Sequence, residues 1–152
     1  MKFDEVDLKI LSELQKDSRL SMRELSKRVN LSTPSVKERV KRLEENGVIE
    51  GYTIKLNYAS LGFSISCIMK ITIKNGHYQK FTDLIKQHSR SISGYRVSGD
   101  ACFFILLHFK SVSEIEEFIN EIMPLANSAT NIVFSKIDIN EDVSKFFESH
   151  NI

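Results

Sequence analysis

The sequence predicts an α+β protein of two parts, in which three helices come first and a βαββαβ unit follows. Apolar residues in the first 50 positions recur at helical spacing, whereas most of the next 90 positions alternate between apolar and polar residues as strands do. A hydrophobic fraction of 41% in 152 residues is enough to form globular cores. The change of period, near Gly62, therefore separates two unlike domains.

Two helices are predicted before residue 30. The first begins near Asp4 and ends before Gln15. Its inward stripe is formed by Val6, Ile10, Leu11 and Leu14. The second begins at Ser21, because Ser21 and Glu24 have the spacing of a capping box, in which each side chain bonds the other residue's backbone amide. Both helices thus have defined starts and one apolar face.

A third helix follows the short turn "NLS". Thr33 is predicted as its N-cap, with Pro34 at the first helical position. Gly47 is placed to end it. The apolar stripe consists of Val36, Val40 and Leu43. The other side chains of this helix are therefore expected to face outward.

The outward side chains around the second and third helices are strongly basic. From Lys16 to Arg42 the sequence has nine bases and three acids, a local net charge of +6, although the whole chain carries only +1. A solvated helix face usually mixes both signs. Clustered positive charge instead indicates a surface that faces phosphates.

The second part of the chain predicts the element order of a ferredoxin-like βαββαβ domain. The expected segments are strands at 65–74, 92–99, 101–110 and 131–139, and helices at 77–88 and 112–123. The alternating stretch "VIEGYTIKLN" predicts a strand or hairpin before a linker. The predicted domains are a helical domain at 1–50, a linker strand at 51–64, the βαββαβ domain at 65–140 and a tail at 141–152.

The strand "CFFILLHF" is apolar on both faces, which a lone βαββαβ domain does not require. Its two helices cover only one face of the sheet. Phe104, Leu106 and His108 lie on the face opposite Phe103 and Ile105. A second copy of the same sheet is the simplest cover, so these three residues are predicted at an oligomer interface.

The helix pair from Ser21 to Gly47 is typical of a helix-turn-helix, whose second helix enters the major groove of double-stranded DNA. Its early residues Ser35, Lys37 and Glu38 are the candidates for base contacts. The full set of candidate DNA-contacting residues is Arg19, Ser21, Ser32, Thr33, Ser35, Lys37, Glu38, Arg39, Lys41 and Arg42. The alternative interpretation is a packed helix pair with a solvated basic face.

Catalytic and metal-binding patterns are missing from the sequence. It has no Gly-rich phosphate loop, no HExxH and no nucleophile elbow. Cys67 and Cys102 do not form a CxxC pair and are interpreted as buried structural thiols. The four histidines lack metal-ligand spacing. We therefore expect no enzymatic activity, no metal and no cofactor.

Membrane association is also not expected. No apolar run approaches the ~18 residues that a membrane-spanning helix needs, and the acidic start "MKFDEVDLKI" does not resemble a signal peptide. The sequence thus predicts a cytoplasmic protein.

Residues 7–57 closely resemble the winged-type helix-turn-helix of the Lrp/AsnC family, the feast/famine regulators, and its LrpC-type members in particular. The matching positions are Asp7, Ile10, Leu14, Asp17, Arg19, Ser21, Glu24, Leu25, Leu31, Ser32, Val36, Arg39, Val40, Leu43, Glu44, Gly47, Ile49, Gly51 and Tyr52. That family joins this motif to a βαββαβ ligand-sensing domain, so the resemblance covers almost the whole chain.

The resemblance implies homodimers formed by sheet-on-sheet contact, further assembly into octamers, and amino-acid effectors bound between dimers. The effector residues that it implies here are Ser98, Gly99, Asp100, Cys102 and Thr130. Cys102 departs from the family pattern, because members that sense amino acids usually have an acid there as a partner for the α-ammonium.

The sequence as a whole predicts a sequence-specific transcription regulator, tuned by an amino acid or a related small molecule. The alternative is an architectural protein that bends or wraps DNA with little sequence specificity and has no effector.

Overall fold

The computed structural model describes residues 3–137, together with residues 139, 143 and 147. The chain divides into two compact units, the first containing the residues up to Lys55 and the second spanning Leu56–Ile137. Within the described ranges, no helix has the length and apolar character needed to cross a membrane.

The first unit is built from three helices, α1 (Glu5–Lys16), α2 (Met22–Val29) and α3 (Thr33–Glu45). Their apolar stripes meet in one core, which includes the fully buried Ile10, Leu25, Val36 and Leu43. The predicted capping box at the start of α2 is confirmed, since the Ser21 and Glu24 side chains bond each other's backbone amides. The predicted end of α3 is confirmed as well, with Gly47 at φ +69° directly after its cap.

Three predictions about the first unit are wrong in detail. Helix α1 continues through Gln15 to Lys16. The N-cap of α3 is Ser32 rather than Thr33, because the Ser32 hydroxyl reaches the Ser35 amide at 3.3 Å and closes the first turn. Residues 48–57 form no strand, and Ile54 in that stretch is 74% exposed. A strand needs a partner for its backbone groups, and this segment pairs with no strand among the residues that the structure describes.

The second unit has the predicted order βαββαβ. Its elements are β1 (Ile65–Ile73), α4 (Tyr78–Gln87), β2 (Ser91–Arg96), β3 (Phe103–Phe109), α5 (Val112–Ile122) and β4 (Ala126–Ile132). The four strands form one antiparallel sheet in the order β2-β3-β1-β4. The strand order places β2 and β4 at the two edges and β3 beside β1 in the middle.

Both helices of the second unit contribute to one core on a single face of the sheet. Cys67, Met69 and Ile71 of β1 point into this core, with Ile105, Leu107 and Phe109 of β3 beside them and Phe81, Phe118 and Ile122 of the helices above. The open face, defined by Ile68, Tyr95, Phe104 and Leu106, keeps exposed apolar area, since Phe104 is 36% and Ile68 41% exposed. The prediction that one sheet face lacks a helix layer is thus confirmed.

The last strand lies earlier in the chain than predicted. It was expected at 131–139, but β4 pairs with β1 through Ala126–Ile132, a more polar stretch. The apolar residues that suggested the later position are exposed, Phe134 by 98% and Ile137 by 80%. Pairing with β1 decided the register, which a period-two pattern by itself does not fix. The predicted tail at 141–152 lies outside the described residues, apart from 143 and 147.

Candidate nucleic-acid interface

Helices α2 and α3 form a tight helix-turn-helix. The turn begins at Asn30, which adopts a left-handed conformation at φ 56°, and Ser32 then caps α3. Val29 of α2 and Val36 of α3 lie in the same core, which fixes the angle between the two helices. Side chains on the opposite side of α3 are therefore held at the surface in a defined order.

The predicted base-contacting residues do lie on this outward side. Lys37 and Glu38 are exposed, and Ser35 is half-buried beside them. Lys37 has no ion pair with any other described residue. Lys41 lies 3.5 Å from Glu45, a pair that is largely exposed and therefore weak. This row of side chains, Ser35, Lys37, Glu38 and Lys41, is called the α3 surface below.

Arg39 and Arg42 differ from the α3 surface, because both are bound by carboxylates of the first helix. Arg39 Nη1 lies 2.7 Å from Asp4 Oδ2 and 2.8 Å from Asp7 Oδ1. Arg42 Nη2 lies 2.7 Å from Asp7 Oδ2. Hydrogen bonds to Asp4 and then to Asp7 raise the pKa of the Arg39 guanidinium. We call these four residues the α1–α3 clasp.

The acids of α1 also reduce the basic patch that the sequence predicts. Glu13 lies 2.8 Å from Arg28 and 3.0 Å from Lys16. With Asp4, Asp7 and Glu13 counted, the local net charge falls from +6 to +3. The positive field is weaker than the sequence window suggests, but it remains positive.

The position of Asp7 in the sequence could have indicated the clasp. It lies three and seven positions before Ile10 and Leu14, on the inward stripe of α1, and its side chain is fully buried. A buried carboxylate needs a cationic partner. Sequence alone does not say which of the nine bases supplies it.

The remaining predicted contacts are partly used inside the protein. The Ser21 hydroxyl donates to Glu24 Oε2 at 2.6 Å. The Ser32 hydroxyl accepts the Ser35 amide, and Thr33 Oγ1 lies 3.2 Å from Ser26 Oγ on α2. The Arg19 side chain is exposed. Ser21 and Ser32 thus hold helix starts, and Thr33 faces α2.

The predicted effector turn follows β2. Gly99 has φ +114°, a conformation that favours glycine, and it presents Asp100 to solvent with 84% of the side chain exposed. Lys70 Nζ of β1 donates to Asp100 Oδ2, and this contact lowers the pKa of Asp100. The one predicted carboxylate of the site therefore already has an ammonium partner.

The predicted effector residues do not all meet within one chain. Cys102 lies beside the turn, where its Sγ accepts the Ile73 amide at 3.4 Å and lies 3.3 Å from Tyr78 Oη. The Ile73 amide and then Tyr78 lower the pKa of this thiol. Thr130 of β4 pairs with Met69 of β1, whereas β3 and the turn lie on the other side of β1. Ser98 is exposed on the turn.

The predicted oligomer residues separate into two groups. Phe104 and Leu106 lie on the open face. His108 is only 8% exposed, because the Tyr58 ring stacks on it at 4.1 Å and Ser66 Oγ lies 2.8 Å from its Nδ1. His108 is thus largely covered by its own chain, and its place at an oligomer interface stays a prediction. The alternating pattern of the strand could not have predicted that Tyr58 covers His108.

Comparison with known proteins matches both units to known domain families. Residues 3–50 match a family model described as winged helix-turn-helix DNA-binding, and residues 66–143 match the Lrp/AsnC ligand binding domain. Both domains are those of DNA-binding transcriptional regulators and not of enzymes.

Two curated relatives are similar in sequence to this chain over nearly its whole length. The HTH-type transcriptional regulator LrpC of Bacillus subtilis is 44% identical over 138 residues, which cover 91% of this chain and 96% of LrpC. The regulator LrpA of the same organism is 40% identical over 134 residues, covering 88% and 98%.

Solved structures share the fold. The structure of B. subtilis LrpC superposes with a TM-score of 0.89 at 43% identity, covering 92% of this chain and all of the other. A Neisseria meningitidis regulator solved with L-Met has a TM-score of 0.86 at 22% identity, covering 93% and 96%, which shows a common fold. The chain belongs to the Lrp/AsnC family of HTH-type transcriptional regulators.

Proposed function

We propose that this protein is a sequence-specific transcription regulator whose α3 surface reads DNA in the major groove. The proposal rests on a difference between the basic residues of α3. Lys37 is exposed without an ion pair, whereas Arg39 and Arg42 are held by Asp4 and Asp7. Lys37 is therefore free to neutralise a phosphate, and Lys41 has only its weak, exposed pair with Glu45 to give up. Glu38 is free to meet base edges, and Ser35 lies beside it with its hydroxyl 2.9 Å from that of Ser32.

In this proposal Arg39 and Arg42 hold α3 at the correct angle on α1 rather than bind phosphates. Moving either guanidinium onto DNA would leave the buried Asp7 carboxylate with fewer partners. That loss opposes the gain of a phosphate contact. The direct contribution of the clasp to DNA binding is thus expected to be small.

Titration of a labelled operator fragment over a range of salt concentrations tests this assignment. Lys37→Gln should lower affinity and reduce the slope of log K against log salt by about one, because one phosphate contact is lost. Lys80→Gln, on the exposed side of α4, is the matched control and should change neither quantity. An unchanged slope in Lys37→Gln would contradict the assignment of Lys37.

Competition with unrelated DNA at fixed salt distinguishes regulator from architectural protein. A regulator should prefer its site over unrelated DNA by at least about 10³-fold. A nearly equal affinity for both would favour the architectural alternative, in which DNA bendability decides binding. Exchanging Glu38 should change which sequence is preferred, whereas a uniform loss would contradict base readout by this residue.

We also propose that the second unit forms homodimers, assembles further and binds a free amino acid weakly at the Gly99–Asp100 turn. The turn offers one carboxylate to an α-ammonium, but Lys70 already occupies it, and Cys102 supplies no second acid. An ammonium must then displace Lys70 or share Asp100 with it, which lowers affinity.

Calorimetry with the twenty amino acids tests the effector proposal. Wild type should bind weakly, and Cys102→Asp should bind the same amino acid more tightly, by about tenfold, because a second acid then faces the ammonium. Cys67→Ser, at a buried cysteine of β1 that faces the core, would be too disruptive, so Lys80→Gln again serves as control. Tight binding by wild type that Cys102→Asp weakens would overturn the proposal.

A further inference from the structure

A cleft of ≈ 570 Å³ lies between α4 and the edge strand β2, with β3 at its base. The pairing register explains why it is open. Gly94 lies opposite Ile105 and Arg96 opposite Phe103, so both positions of β2 face the helix layer. A glycine and a long polar side chain stand there in place of apolar residues that would close the core.

The floor of the cleft is apolar. Phe81 and Ile85 of α4 line it from one side, and Phe103 and Ile105 of β3 lie beneath. The Phe81 and Phe103 rings are 5.4 Å apart and form one aromatic surface. Small-molecule sites have volumes of roughly 300–1,000 Å³ and are mostly apolar with a few polar groups. This cleft fits that description in both volume and lining.

The charged residues that line the cleft are cations. Arg96 lies over the Tyr78 ring with its Cζ 5.1 Å from the centroid, and Lys86 lines the cleft from α4. Neither side chain forms an ion pair with another described residue. Asp83, the acid of α4, accepts a hydrogen bond from Gln79 at 2.8 Å and does not line the cleft. The lining therefore favours a negatively charged ligand.

An unpartnered polar atom lies at the other end of the cleft. Ser91 lines it, and within the described part of the chain the Ser91 hydroxyl oxygen is buried without a hydrogen-bond partner. A buried hydroxyl without a partner costs about 1–3 kcal/mol. A polar group of a ligand would remove that cost. Ser91 lies opposite Leu107 and Arg96 opposite Phe103, four steps of β3 that span about 13 Å at ~3.3 Å per residue, because β2 has a bulge between Ser91 and Ser93.

We propose that this cleft binds a monocarboxylate with an elongated apolar body. The carboxylate pairs with the Arg96 guanidinium, and the apolar body covers Ile85 and Phe103, which keep exposed area above the buried Phe81 and Ile105. A hydroxyl or oxo group farther along the ligand bonds Ser91. The site belongs to the second unit and uses neither the α3 surface nor the Gly99–Asp100 turn. Binding is therefore measured without DNA, and its failure would leave the proposed DNA function untouched.

Calorimetry on the full chain with octanoate tests the proposal. Octanoate should bind at one saturable site per chain. Octylammonium, which has the same body and the opposite charge, should not bind, and 1-octanol should bind at least about tenfold more weakly because it lacks the ion pair. Backbone NMR shifts should change at residues of α4 and β2.

Two variants test the position of the ligand. Arg96→Gln should weaken octanoate at least about tenfold, while Lys80→Gln, outside the cleft on the same helix, should not. Gly94→Leu should abolish binding by filling the cleft. A Cβ at Gly94 would lie 3.6 Å from Ile105 Cγ1, an ordinary contact, and the residue does not have a positive φ. If Gly94→Leu proves unfolded, the Arg96 and Lys80 pair still decides the question.

Three outcomes would overturn the proposal. Octylammonium could bind as tightly as octanoate, or Arg96→Gln could leave octanoate affinity unchanged. The third outcome is that octanoate does not bind, while Arg96→Gln and Gly94→Leu both dissociate an oligomer. The cleft would then be a contact between copies of this chain.

Discussion

At Asp7, one carboxylate accepts hydrogen bonds from arginines that lie 32 and 35 positions later in the chain. The carboxylate is fully buried, while the guanidinium groups of Arg39 and Arg42 reach the surface with 26% and 46% of their side chains exposed. The arginines thus neutralise a buried charge from its solvent side. This arrangement fixes α1 on α3 and decides which bases of α3 remain free.

Asp7→Asn should destabilise the first unit by about 2–4 kcal/mol, because two guanidinium groups lose a charged partner and the exposed side of the cluster moderates that loss. Urea unfolding monitored by circular dichroism measures the change. Glu45→Gln is the control at a pair that is 62–70% exposed, and it should change stability by less than about 0.5 kcal/mol. Equal losses of stability in both variants would show that the clasp stabilises the first unit no more than an exposed ion pair does.

At the scale of elements, the stack of Tyr58 on His108 joins a short 3-10 turn at Ala59–Leu61 to strand β3. Burial lowers the pKa of His108 below its ordinary value of 6.5. In the unfolded chain this imidazole gains a proton near pH 6.5, and in the folded chain only at lower pH. The unfolded state therefore binds more protons as pH falls.

The second unit should accordingly lose stability as pH decreases through 6.5 toward the lower pKa of folded His108. Hydrogen exchange of β3 amides, corrected for intrinsic rates, measures this loss between pH 7.5 and pH 5.5. His108→Gln should remove most of the pH dependence, and His77→Gln should retain it. The explanation fails if stability rises on acidification in wild type.

At the scale of the whole molecule, the open face of the sheet is an apolar surface of the second unit that neither α4 nor α5 covers. Leu106 lies opposite Ile68 near its centre, and Phe104 and Tyr95 continue it toward β2. Tyr95 is 69% exposed. Exposed apolar patches of this kind mark association surfaces. The second copy of the sheet predicted from the strand pattern remains the simplest partner.

Leu106→Asp should weaken self-association, because it would place an unpaired carboxylate in the contact at a cost of several kcal/mol. Light scattering should show smaller particles or insoluble protein. Val112→Asp is the matched control, since Val112 is 67% exposed at the start of α5, where an acid is favourable. A folded Leu106→Asp protein of unchanged size would place the interface elsewhere.

The sequence by itself determined the elements and their order. Helical periodicity located α2 and α3, the capping box of Ser21 and Glu24 predicted the start of α2, and Gly47 predicted the end of α3, because these signals involve residues within one or two turns. The start of α3 was predicted one residue late, at Thr33 instead of Ser32. Period-two alternation predicted β1 for the same reason. The family resemblance added the joining of the two domains, which the comparisons confirm.

The tertiary structure decided everything that depends on residues far apart in the chain. It assigned Arg39 and Arg42 to Asp7, covered His108 with Tyr58, and placed the last strand at Ala126–Ile132. An ion pair, a ring stack or a strand register depends on which surfaces come within a few ångströms of each other. Local periodicity gives no distance between such surfaces. The same bases that look equivalent in the sequence therefore differ in the fold, where some carry a partner and Lys37 remains exposed.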